Sequence, residues 1–129
     1  MVYTAMDAAD QLQTRGLQAA VVNARFAKPL DEATILDRAK GKKLIVTLEE
    51  GSLIGGFGDA VMEFLGNQPG NFPKIRTLGI PDRFVEHGKR EILLDSVGLS
   101  ASKILEVVLK ELKVTDQRMI ETGSLISTR

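Results

Sequence analysis

A chain of 129 residues has room for one domain with one core. Its 43% hydrophobic and 26% charged content is that of a globular protein, and 17 basic side chains balance 17 acidic ones, which gives no support to nucleic acid or an anionic membrane as the main partner. The absence of cysteine removes disulfides, thiolate nucleophiles and cysteine-type zinc sites, and a single histidine leaves little material for a metal site or a proton relay. No apolar run approaches the ~20 residues of a membrane helix, and no charged-then-apolar leader opens the chain, so neither membrane insertion nor secretion is expected.

The first expected element is a helix that starts at the first residue, with Val2, Ala5, Met6, Ala9 and Leu12 on one face and Gly16 as its stop. Gln18–Phe26 reads as a buried strand through Ala19, Ala20, Val21 and Val22, with Asn23 and Arg25 near its carboxyl end. After Lys28-Pro29-Leu30, Asp31 is an N-cap, and Leu30 with Ile35 can form a hydrophobic staple. The helix Glu32–Lys40 should bury Ile35, Leu36 and Ala39 and stop at Gly41.

Leu44–Leu48 is the clearest strand, an apolar run with Ile, Val and Thr that Glu49 and Glu50 should end. Gly51, Gly55, Gly56 and Gly58 make a glycine loop, and Val61, Met62, Phe64 and Leu65 a following helix with Gly66 in its C′ position. Asn67–Pro73 is a surface loop of turn residues. Lys74–Leu78 is a third strand, broken at Gly79-Ile80-Pro81. A polar loop follows, then a short helix over Lys89–Val97 with Ile92 and Leu93 inward and Gly98 as stop. Ser100 caps a stronger helix, Ala101–Lys113, with Ile104, Leu105, Val108 and Leu112 as its stripe. Residues 114–129 have little periodicity and read as a poorly ordered tail. The order αβαβαβαα predicts an α/β fold, a parallel sheet covered on both faces, within a domain over residues 1–113.

A glycine loop between strand and helix invites a phosphate-site reading. The surroundings argue against it: Glu49, Glu50 and Asp59 flank the loop, no Lys or Arg lies in it, and neither nucleotide fingerprint is present. Gly55, Gly56 and Gly58 then serve close packing of the helix on the sheet, while Glu49 and Glu50 could hold a partner's Arg or Lys. His87 sits in Arg83-Phe84-Val85-Glu86-His87-Gly88, where it could donate a proton or bind substrate, or cap local backbone. Asp82, Arg83 and Glu86 could form an ion-pair cluster at a domain contact, and Phe84 an anchor into the core or a partner. Arg25 and Lys28 should lie near the same sheet edge. Ser52, Ser96 and Tyr3 lack any motif that would make them reactive, and no catalytic set is complete.

Three segments together resemble a known family. Val21-Val22-Asn23-Ala24-Arg25-Phe26 with Lys28-Pro29-Leu30-Asp31, then Thr47-Leu48-Glu49-Glu50-Gly51 with Gly55-Gly56-Phe57-Gly58, then Leu78-Gly79-Ile80-Pro81-Asp82-Arg83-Phe84-Val85-Glu86-His87-Gly88 resemble, in order, segments of the 1-deoxy-D-xylulose-5-phosphate synthases. The resemblance covers most of residues 1–113 and only the last domain of those enzymes, the transketolase C-terminal domain. Transketolases and the β subunits of 2-oxo acid dehydrogenases share the domain type without this combination of segments.

The resemblance implies a three-layer αβα fold and a role in a dimeric, thiamine diphosphate- and Mg²⁺-dependent transferase. That enzyme condenses pyruvate with D-glyceraldehyde 3-phosphate, with loss of carbon dioxide, for isoprenoid, thiamine and pyridoxal phosphate synthesis. The family's Gly-Asp-Gly…Asn cofactor motif is absent from this sequence, and its activating Glu belongs to another domain. No catalytic, cofactor or metal residue therefore carries over, and the chain alone is expected to be inactive and to bind no cofactor. Arg25, Glu49, Glu50, Gly55, Gly56, Gly58, Asp82, Arg83, Glu86 and His87 become candidates for an interface at the sheet edge. The expected partners are the remaining synthase domains or further copies of the chain, in the cytoplasm or a plastid stroma. The resemblance also implies that the N-terminal strands of the domain are missing, one of them central. The expectation is that a strand of another chain, the chain's own tail around Ser124–Ser127, or self-association fills that gap. The other outcome is direct pairing of Val21 with Val46. The alternative function is a free-standing interaction or regulatory module of the same fold, or the equivalent domain of a transketolase or of a 2-oxo acid dehydrogenase β subunit.

Overall fold

A computed structural model of the chain describes residues 1–114. The elements are α1 (Val2–Gln13), α2 (Glu32–Ala39), β1 (Leu44–Ser52), α3 (Phe57–Gly66), β2 (Lys74–Ile80), α4 (Arg90–Ser96) and α5 (Ala101–Glu111). β1 and β2 pair in parallel, with Leu44 opposite Lys74, Val46 opposite Arg76 and Leu48 opposite Leu78. α3 makes the connection between them.

Side-chain alternation along β1 divides the core into two clusters. Leu44, Val46 and Leu48 pack with Leu78 against Ala8 and Leu12 of α1 and Ile104, Leu105 and Val108 of α5. Ile45 and Ile75 face the other way, onto Ala39 of α2 and Val61 and Leu65 of α3. Among the described residues the result is helix, sheet, helix: three layers around a septum two strands wide.

Local chemistry sets most helix ends. Asp31 accepts from the Thr34 amide at 3.1 Å and from the Thr34 hydroxyl at 2.7 Å, which fixes the start of α2. Leu30 and Ile35 pack on the same cluster, the arrangement a staple requires. The Ser100 hydroxyl accepts from the Lys103 amide at 3.4 Å at the start of α5. Gly41 stands just past α2 with φ of 67°, where a side chain would be strained.

Several expectations are corrected. The Gln18–Phe26 strand does not form: this stretch pairs with no strand among the described residues, and Val21, Val22 and Phe26 are exposed. A strand exists through its ladder, and the described residues offer this one no partner. Val21 and Val46 are therefore not on bonded strands, and the expected tail around Ser124–Ser127 lies outside the described residues. β1 does not end at Glu49 but runs to Ser52, with a register irregularity between Leu48 and Ser52. Both glutamates find partners off the strand, so their charge does not interrupt it. β2 likewise passes through Gly79 to Ile80.

In α1 the buried face is Ala8 and Leu12, and Met6 is exposed. Gly66 is the last residue of α3 rather than its C′ position, and Asn67 caps the helix in a right-handed conformation. α4 is shorter than expected and Ile92 points outward, leaving Leu93 and Leu94 half-buried. α5 ends at Glu111, because Leu112 has left the helix while still packing on the core.

Candidate functional site at the carboxyl edge of the sheet

Parallel strands send their following loops off the same edge, so the glycine loop after β1 and the 81–89 loop after β2 emerge side by side. Leu53, just past β1, donates its amide to the Ile80 carbonyl at 2.8 Å and ties the two exits together.

Glu49 turns toward α3. Its carboxylate accepts from the amides of Phe57 at 2.9 Å and Gly58 at 3.0 Å, the first two residues of that helix. A helix N-terminus carries unpaired N–H groups and the positive end of the helix dipole, so it favours an anion. Here the anion is the chain's own. Gly56 makes the contact possible: a Cβ there would lie 2.2 Å from the Ser52 carbonyl oxygen and 2.5–2.6 Å from the Glu49 carboxylate. At Gly58 a Cβ would lie 2.6 Å from Thr47 Oγ1 and 2.7 Å from Thr77 Cγ2, so the first turn of α3 is pressed onto both strands. The Gly55 amide donates to Asp59 at 2.6 Å. The glycine loop is a close-packed joint, and its one anion-binding position is filled.

Glu50, on the other face of β1, meets Arg90 at the start of α4. Arg90 Nε donates to one carboxylate oxygen at 3.2 Å and Nη2 to the other, and the Met1 amino group stands 3.6 Å away. Arg90 and these neighbouring charges hold the Glu50 carboxyl below the usual carboxylate range. A second cluster joins α5 to β2: Glu111 meets Lys74 at 2.5 Å and Arg76 at 3.8 Å, which lowers its carboxyl in the same way.

The other candidates do not converge. Arg83 donates to the Ser96 carbonyl at 3.4 Å, bracing the 81–89 loop against α4. The expected cluster of Asp82, Arg83 and Glu86 does not form: no ion pair joins these side chains, all of which are exposed. His87 is exposed as well, and Phe84 is fully exposed, so it does not anchor in the core. Arg25 is exposed with φ of 50°, its amide held by the Asn23 side chain at 3.3 Å, because the strand that would have carried it to the sheet edge is not formed. Arg90 was missed in the sequence. The signal for it was a basic residue two positions past Gly88, on the loop that parallel topology sets beside the two glutamates.

No group of three His, Cys, Asp or Glu side chains among the described residues converges to hold a metal. The N-terminus of α3, the position where the glycine loop could cradle a diphosphate, carries the Glu49 carboxylate and does not suit that group. No helix among the described residues is long and apolar enough to cross a membrane.

The family described as "Transketolase, C-terminal domain" matches residues 1–104, and the chain belongs to that family. Within it, the chain is similar to enzymes named 1-deoxy-D-xylulose-5-phosphate synthase. It is 43% identical over 112 residues to that of Aquifex aeolicus, a match spanning 87% of this chain and 18% of the relative. It is 44% identical over 124 residues to that of Thermosynechococcus vestitus, spanning 96% and 19%. A solved structure titled "Split gene transketolase, inactive beta4 tetramer" superposes with a TM-score of 0.75 at 34% identity, over 88% of this chain and 35% of that one. The chain thus spans about a fifth of the length of the curated relatives it matches.

Proposed function

We propose that the chain acts as the C-terminal domain of a 1-deoxy-D-xylulose-5-phosphate synthase and contributes structure and interface rather than catalytic groups. The whole enzyme would condense pyruvate with D-glyceraldehyde 3-phosphate using thiamine diphosphate and Mg²⁺ held by its other domains, in the cytoplasm or a plastid stroma. The observation that carries this reading is the Glu49 carboxylate on the N-terminus of α3. It removes the one place where a strand–loop–helix unit of this kind would take a phosphate, and it leaves the edge as a surface for packing. On that surface Glu50 with Arg90, Arg83, Glu86, His87 and the exposed Phe84 face outward, in reach of the neighbouring domains.

Two measurements test it. Isothermal titration of the chain with thiamine diphosphate and Mg²⁺ is expected to show no binding, and micromolar affinity would overturn the structural role. Residues 1–113 grafted in place of the matching segment of the Aquifex aeolicus synthase should retain product formation. A graft that folds and assembles but makes no 1-deoxy-D-xylulose 5-phosphate would overturn the assignment to that enzyme.

A further inference from the structure

A single exposed apolar side chain is ordinary on a protein surface, so the full exposure of Phe84 assigns nothing by itself. Its setting does. The 81–89 loop is braced at both ends. Before Phe84, the Arg83 amide donates to the Pro81 carbonyl at 2.7 Å and the Arg83 guanidinium to the Ser96 carbonyl at 3.4 Å. After it, Gly88 closes on α4, where a Cβ would lie 3.2 Å from Leu93 Cδ2, and Arg90 clasps Glu50 of β1. The phenyl ring is therefore held out on a fixed frame, and docking it costs little further ordering of the loop. Ile54, on the glycine loop that leaves the same edge of the sheet, is a second exposed apolar side chain. Charge along the loop cancels, with Asp82 and Glu86 against Arg83 and Lys89. A nucleic acid or an anionic lipid surface calls for a basic excess. A protein surface, apolar at its centre and polar at its rim, does not.

We propose that Phe84 is the anchor of this edge, seated in an apolar pocket of the remaining part of the same synthase, with Ile54 at the rim of that pocket. The proposal rests on the assignment to that synthase made above. The curated relatives run to about five times the length of this chain, so about four-fifths of such an enzyme stands outside it and has to pack on one of its faces. A second copy of the chain fits the ring less well. The clearest apolar groove among the described residues is lined by Met62, Leu65, Phe72 and Ile75 and lies by the loop that enters β2, at the opposite edge of the sheet. A phenyl seated there would join copies head to tail, an arrangement with no two-fold closure. Aromatic residues in desolvated pockets carry most of the binding energy of an interface while the charged rim carries little, so Phe84 and not Arg83 or Glu86 should decide whether this edge is covered.

Limited trypsin digestion reads the loop directly, because Arg83 supplies a cleavage site at the bond to Phe84. The isolated chain should be cut there readily, and the graft of residues 1–113 in the Aquifex aeolicus synthase about tenfold more slowly or better. Phe84→Ala should abolish most of that protection in the graft. It should leave the urea midpoint of the isolated chain unchanged, since a fully exposed ring holds nothing in the isolated fold. Phe84→Leu still fills an apolar pocket and should keep most of the protection. Each variant graft is compared with the same variant of the isolated chain, which removes any direct effect of the substitution on the protease. Protection that Phe84→Ala does not change overturns the proposal and leaves the synthase assignment standing. So does a graft that makes product and is cut at Arg83 as fast as the isolated chain. Protection that grows in the isolated chain as its concentration rises gives the edge to a second copy and overturns the proposal too. A graft that folds and assembles but makes no product removes the assignment itself, and the proposal with it.

Discussion

Replacing Glu49 by alanine tests the central joint of the structure. The substitution removes a carboxylate that accepts from two backbone amides, at 2.9 and 3.0 Å, on the first turn of α3. A hydrogen bond to a charged group contributes about 1.5–3 kcal/mol, and losing a helix N-cap costs about 0.5–2 kcal/mol. The two figures describe overlapping contacts and do not add. Water can also reach the exposed rim of the loop and solvate part of what is uncovered, so a loss of about 2–3 kcal/mol is expected. That is a large share of the ~5–15 kcal/mol that holds a domain together. Glu49→Gln keeps the shape and one good acceptor and should lose about half as much. Glu50→Ala breaks an exposed pair with Arg90, worth under about 1 kcal/mol after solvent screening. Urea denaturation followed by circular dichroism gives the three midpoints, with the slope checked for constancy. The expected order of damage is Glu49→Ala, then Glu49→Gln, then Glu50→Ala. If Glu50→Ala costs more than Glu49→Ala, the carboxylate of Glu49 is not what holds the start of α3.

Thr47 is 5% exposed, and its hydroxyl has no hydrogen-bond partner. Thr47→Val, which swaps that hydroxyl for a methyl of similar size, should be neutral or stabilising by up to about 1 kcal/mol, read from the same urea midpoints. A loss of similar size would reveal a partner for the hydroxyl. Glu50, Glu111 and Asp31 all have carboxyls held below their ordinary values, through Arg90, Lys74 and Thr34 respectively. A lowered folded-state value means that the unfolded chain takes up protons first, so this stability is full above the usual carboxylate range and is lost as pH falls through it. Thermal melting between pH 7 and pH 3 should show the decline. Arg90→Gln should move the Glu50 carboxyl titration, followed by NMR, back up toward its ordinary value.

What could be read from the sequence was what neighbours in the chain decide. Asp31 and Ser100 cap the helices they precede, and Gly41 stops one, because each acts within a turn of its own position. Leu44–Leu48 was legible as a strand because it is a short apolar run set between pairs of charges, and Lys74–Leu78 because it lies between Pro73 and the Gly79-Ile80-Pro81 break; the two do pair with one another. Residues 18–26 carry the same local signal and form no strand, since a ladder needs a partner that local pattern cannot supply. At the candidate site, the glutamates and glycines were legible as a cluster. The division of labour was not. Whether Glu49 or Glu50 faces α3 depends on the parity of β1 against a helix eight residues on, and Arg90 reaches Glu50 across 40 residues of chain. The ion-pair cluster expected at Asp82, Arg83 and Glu86 failed for a related reason: exposed charges close in sequence are each better solvated than paired.

The carboxylate on the N-terminus of α3 also sets a competition. A tethered group acts at an effective concentration fixed by its tether, on the order of millimolar or more for a short flexible one. Glu49 is better placed than that, since its strand and the contact of Gly56 with Ser52 already hold it in position. A free phosphate ester would have to displace an occupant that never diffuses away. The same acid in the same place therefore gives a simple rule for related strand–loop–helix units. A glycine-rich loop whose preceding strand carries a glutamate about eight residues before the helix, turned toward that helix, is occupied from within, and a nucleotide or sugar phosphate has to bind elsewhere.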